Sequence, residues 1–98
     1  MNKKRHIPVI SFNELELKIK KPQVYQSLIE GITEAFENNK DEINLCEVKY
    51  ANTYLTVHKD SWSSSLTRAL DFYVEKEEYE ECVKIKELID NDKKYPYI

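Results

Sequence analysis

The sequence predicts an α+β fold with the element order β-α-β-β-α-α, ending in an antiparallel helical hairpin. Three observations carry that prediction. An alternating charged/apolar stretch precedes a segment of clean helical period, two adjacent runs are rich in Val, Ile, Tyr and Thr, and two further helical stripes close the chain. That order is an α+β order, and 98 residues suffice for a single domain built on one core.

Glu14-Leu15-Glu16-Leu17-Lys18-Ile19-Lys20 alternates with period two, which places Leu15, Leu17 and Ile19 on one face of a half-buried edge strand. Pro22 follows, suited to the first turn of a helix, where its missing N–H costs nothing. Tyr25, Leu28, Ile29, Ile32, Ala35 and Phe36 then fall on one helical stripe, with Gln26, Glu30, Glu34 and Glu37 on the wet side. Gly31 inside that helix costs ~1 kcal/mol relative to Ala and implies a close neighbour. Asn38-Asn39 supplies residues that tolerate a left-handed helix end.

Ile43–Tyr50 and Tyr54–His58 read as a β-hairpin around Ala51-Asn52-Thr53. Leu55 and Val57 share one face, with Cys46 and Val48 opposite. The change from Ile43/Leu45 to Cys46/Val48 phasing marks either a bulge or a late strand start, and the sequence leaves both open. Asp60-Ser61 offers N-cap oxygens. Trp62, Leu66, Ala69, Leu70 and Tyr73 form the next stripe, with core packing expected for Trp62. After a break near Lys76-Glu77, Tyr79, Cys82, Val83, Ile85, Lys86, Leu88 and Ile89 trace a second helix with a broad apolar face. The expected organisation is a basic arm (1–6), a strand–helix–hairpin body (7–59), the helical hairpin (60–91) and an aromatic tail (92–98).

Composition narrows the functions. One Gly rules out glycine-rich phosphate loops. No apolar run approaches the ~20 residues of a membrane span. The basic start resembles a signal peptide's first region, but Ile7–Phe12 is short, contains Pro8 and lacks a cleavage site, so a cytoplasmic location is expected. Cys46 and Cys82 are isolated on apolar faces and read as buried free thiols rather than a disulfide. Charge is uneven. Residues 1–21 carry six Lys/Arg against two Glu, residues 22–60 three Lys against seven acids, and residues 61–98 six Lys/Arg against nine acids. An acidic body repels a nucleic-acid backbone, so any such contact would fall to Lys3, Lys4 and Arg5.

One stretch carries a resemblance. Within Ala69–Ile89, Glu77-Glu78-Tyr79-Glu80 forms an acidic-aromatic core, Cys82-Val83 stands at a pair of small positions, and Ile85-Lys86-Glu87 makes an aliphatic-basic-acidic step. This pattern resembles the UVR motif, a helical hairpin of bacterial excision-repair proteins and of some partners of chaperones and kinases. It departs from the motif at Glu87, usually Asp, and at Lys86 in place of Arg, which weakens any bidentate contact. The resemblance covers about a third of the chain and implies a short-turn hairpin that docks on protein. Cys82 permits close helix approach, Tyr79 plugs the turn end, and Glu77, Glu78, Glu80 and Glu81 sit in the first turn, where the helix dipole favours acids. Lys84 is placed to pair with Glu80 and Glu81. The upstream part, heavy in Lys, Ile, Asn and Tyr, loosely resembles small proteins of bacteriophages and gut bacteria.

Other constellations are weaker. His6, Cys46, His58 and Cys82 lack the short spacings of a zinc set. His58 with Asp60, beside Ser61, Ser63, Ser64 and Ser65, reads as a strand end running into a serine-rich helix start rather than an acid–base pair. The acids from Glu75 to Glu81 lack calcium-loop spacing. No catalytic, metal or cofactor site is therefore expected. The expectation is a non-enzymatic protein-interaction or adaptor module of the phage-accessory kind, contacting a larger partner through Tyr79, Lys86, Tyr95 and Tyr97. Two alternatives stand beside it: a structural subunit of a large particle such as a virion, and a nucleic-acid-associated factor using Lys3, Lys4 and Arg5. The sequence leaves the oligomeric state open.

Overall fold

The computed structural model describes residues 7–11, 13 and 21–94, with the backbone alone for 93 and 94. Within them lie strand β1 (Val9–Ile10), helix α1 (Pro22–Glu37), strands β2 (Glu42–Val48) and β3 (Thr53–His58), a 3-10 turn (Lys59–Ser61), and helices α2 (Trp62–Glu75) and α3 (Tyr79–Lys94). The α+β order β-α-β-β-α-α is as expected, and α2 with α3 forms the hairpin. The first strand is Val9–Ile10, however, and the alternating run Glu14–Lys20 lies outside the described residues.

The sheet runs β1-β2-β3, with β1 parallel and β3 antiparallel to the central β2. A two-residue strand is too short to show a period. It is held by main-chain bonds from Glu47 N–H to the Pro8 carbonyl and from Lys49 N–H to the Ile10 carbonyl, 2.8 Å each.

The register shift between Asn44 and Cys46 identifies the bulge. Leu45 is the extra residue, so Ile43, Cys46 and Val48 all reach the core although their spacing is irregular. An extra residue leaves the ladder, and its carbonyl must find another donor. That donor is the Ser27 hydroxyl of α1, 2.7 Å away and itself buried. Gly31 is buried on the same helix, which packs on β2, in line with the close approach expected of it.

Helix α1 starts as Pro22 requires, from an extended Lys21. It ends at Asn39, whose φ of 54° is left-handed, with Lys40 N–H bonded to the Ala35 carbonyl at 2.9 Å. The core joins Leu28, Ile29 and Ile32 of α1, Ile43 of β2, Trp62, Leu66 and Phe72 of α2, and Ile85 and Leu88 of α3. Trp62 is 1% exposed, donates from Nε1 to the Val57 carbonyl at 3.1 Å, and meets Phe36 edge-on at 5.3 Å. Burying such an indole requires a partner for its N–H, and the end of β3 supplies it.

The start of α2 differs from the cap expected at Asp60-Ser61. Ser61 makes no side-chain cap bond; instead, the His58 imidazole caps the preceding 3-10 turn by accepting from Asp60 N–H at 3.3 Å. Phe72, absent from the expected stripe, is buried against the Tyr25 ring at 4.5 Å.

Candidate docking surface

The hairpin turn comprises Lys76, Glu77 and Glu78. Glu77 N–H bonds to the Val74 carbonyl and Glu78 N–H to the Tyr73 carbonyl, both at 3.0 Å, which is the double-bonded helix end usually closed by glycine. Here the left-handed residue is Glu77, with φ 58°. The Glu78 carbonyl then accepts from Cys82 N–H at 3.3 Å and opens α3. Glu77 and Glu78 therefore precede the helix, and only Glu80 and Glu81 occupy its first turn.

Tyr79 does not plug the turn. It is 63% exposed, and Val83, one turn along, is 56% exposed, so α3 buries a narrower face than its composition implies: Cys82, Ile85 and Leu88, with Ile89 at the border. The core tapers at the hairpin's tip, and Phe72 and Tyr73 already fill it there. Tyr79, Val83 and Lys86 stand at i, i+4 and i+7, hence on one outward face. Val74, half exposed near the end of α2, adds a third apolar group by the turn. Glu75, Glu77, Glu78 and Glu80, all exposed, flank Val74 and Tyr79 along the chain.

Behind this face a polar network fixes the hairpin to α1. Gln26 Nε2 donates to Tyr73 Oη and to Glu81 Oε2, each at 3.0 Å, and Lys84 pairs with the other Glu81 oxygen at 3.2 Å. Burial, opposed by the Gln26 bond and reinforced by nearby Glu81 and Glu78, holds the Tyr73 phenol above its ordinary range. Gln26 was expected on the wet side; it instead turns inward, because a buried phenol and a half-buried carboxylate supply two acceptors for one amide. Of the two acids expected to pair with Lys84, the ion pair falls on Glu81.

The remaining candidate groups are dispersed. Cys46 and Cys82 are both free and buried, and burial pushes the Cys46 thiol up. Among the described residues no three His, Cys, Asp or Glu side chains are grouped to hold a metal ion. His58 Nδ1 lies 3.4 Å from Asp60 Oδ2, but a nitrogen that accepts the Asp60 amide proton has none to offer the carboxylate, so the pair acts as a cap. Ser64 donates to the Ser61 carbonyl at 3.1 Å. A depression of about 630 Å³ beside the end of α1 is lined by Phe36, Asn39, Lys40, Asp41, Lys59 and Trp62, among other residues, and its Lys59–Asp41 pair is closed at 3.2 Å. Among the described residues no helix is long and apolar enough to cross a membrane. Of the expected contact residues, the structure brings Tyr79 and Lys86 to one exposed face; Lys3, Lys4, Arg5, Tyr95 and Tyr97 lie outside the described residues.

No family model, curated protein or solved structure matches the chain. The class is thus defined by geometry alone: among the described residues, an α+β body of three strands and one helix with a helical hairpin packed against that helix.

Proposed function

We propose that this protein is a non-enzymatic protein-docking module and that the outward face of its hairpin tip is the contact. The observation that carries the reading is the exposure of Tyr79, Val83 and Val74 around a turn whose other side is committed to the core and to the Gln26 network. Exposed apolar groups clustered within a charged rim favour a protein contact over solvent. The rim here is acidic, so the fitting partner presents an apolar socket bordered by Lys or Arg. The UVR resemblance supports the same use, since that hairpin docks on protein.

Affinity capture from cells that make this protein, with wild type and Tyr79→Ala side by side, tests the proposal. Tyr79 is mostly exposed, so its truncation is expected to change stability by no more than about 0.5 kcal/mol while removing a hot-spot-sized share of binding, about 2 kcal/mol. Capture should also weaken as salt rises, because the rim charges are screened. A partner held equally by both forms would count against this surface.

A further inference from the structure

We infer that β3 is a self-association edge, pairing antiparallel with β3 of a second copy about a twofold axis through Thr56. This surface shares no residue with the hairpin tip and stands independently of the docking role.

The direction of the main-chain groups comes first. Glu47 and Lys49 send their N–H groups to β1, so Cys46 and Val48 face β3, opposite Leu55 and Thr53. At the other end Lys59 N–H bonds to the Asp41 carbonyl, which by alternation makes Val57 the next residue bonded to β2. Both ends agree, since the bulge interrupts β2 and not β3. Thr53, Leu55 and Val57 therefore serve the internal ladder. Tyr54 and Thr56 direct both N–H and C=O outward and His58 its N–H, while the His58 carbonyl is taken up by the 3-10 turn that it opens. Among the described residues no strand pairs on that side.

The strand also lacks the devices that block such an edge. Thr53-Tyr54-Leu55-Thr56-Val57-His58 contains no Lys, acid, Pro or Gly, in a chain of which 34% is charged. Tyr54 is 48% and Leu55 40% exposed, on opposite faces of the sheet.

The occupant follows from the strand's own symmetry. About Thr56 the aliphatic residues Leu55 and Val57 are equidistant, and so are the rings of Tyr54 and His58. An antiparallel copy centred there sets Thr56 against Thr56, Tyr54 against His58, and Leu55 against Val57. The bonded pairs of that register are Thr56 with Thr56 and Tyr54 with His58, and with the His58 carbonyl already engaged in its own turn they give about four new bonds. No charged residue of β3 meets a like charge. A twofold contact needs such self-complementarity, and a foreign strand would not.

The test is sedimentation velocity of the intact chain from about 10 μM to about 1 mM, since one strand pair lies at the small end of interface sizes. Concentration-dependent dimer is expected. Thr56→Lys places like charges on the axis and should weaken the dimer at least ~10-fold. Thr56→Pro removes an outward N–H that the fold does not use, and should do the same with an unchanged circular dichroism spectrum. Thr56→Cys should cross-link to itself under mild oxidation, because bonded antiparallel partners lie ~5.5 Å apart at Cα, while exposed Thr33→Cys should not. A monomer across the whole range overturns the inference. So does a dimer indifferent to both Thr56→Lys and Thr56→Pro, which would place the contact elsewhere.

Discussion

Replacing Glu77 by glycine should stabilise the protein, and replacing it by alanine should not. At φ 58° the Cβ of Glu77 crowds the following carbonyl, a cost of about 1–2 kcal/mol that glycine lacks. Glycine loses more freedom on folding, about 0.5–1 kcal/mol relative to alanine, so the net gain of Gly over Ala is about 1 kcal/mol. Both substitutions remove the same charge from the acidic rim, and its effect cancels between them. The two bonds to the Val74 and Tyr73 carbonyls come from main-chain N–H groups that either variant keeps. Thermal and urea melts of the pair should therefore separate by about 4–8 °C for each kcal/mol, with the glycine form higher. If the alanine form melts at or above the glycine form, the left-handed turn assignment is wrong and the two helices are joined in some other way.

Two further outcomes can be checked by the same melts. Ser27→Ala deprives the Leu45 carbonyl of its 2.7 Å donor and should cost about 1–2 kcal/mol, whereas Thr33→Ala, on the exposed side of α1, should stay within about 0.5 kcal/mol; equal effects would refute the role given to the bulge. Asp92 is held above its ordinary 3.8 by burial, with Lys59 pulling the other way. A raised carboxyl means that the folded state binds the proton more readily, so the destabilisation is absent below the unfolded value and develops as pH rises through the folded one. Asp92→Asn should therefore gain a little stability at pH 7 and none near pH 3, and a gain that persists at pH 3 would contradict this.

Much of the fold was legible because helical periodicity reports which face is buried when the pattern is long. Leu28, Ile29, Ile32 and Ala35 are all buried, and Trp62, Leu66, Ala69 and Tyr73 behave likewise. What failed did so for physical reasons. Val9–Ile10 is a strand only because β2 offers it a free edge, which no local pattern encodes. Gln26 looked solvated because polarity alone cannot reveal that two acceptors await it inside. Tyr79 carried the hydrophobicity of a core residue but sits where the hairpin has outrun the core, so its exposure depends on the helix layer's extent. Of the candidate site, the sequence pointed to Tyr79 and Lys86, while the self-pairing symmetry of β3 became meaningful only once the strand proved to be an outer one.

The bulge at Leu45 also limits how else this chain can align. In an ordinary amphipathic strand a slip of one residue exchanges the two faces wholesale, and a near-degenerate alternative often survives. β2 has no such twin. Any pairing without the extra residue turns out either Ile43 with Leu45 or Cys46 with Val48, so half of the strand's apolar content is always misplaced. With Ser27 waiting on α1 for one specific carbonyl, the irregularity works as a proofreading device: the hairpin can fit the helix layer fully in one alignment, and near misses are left visibly incomplete.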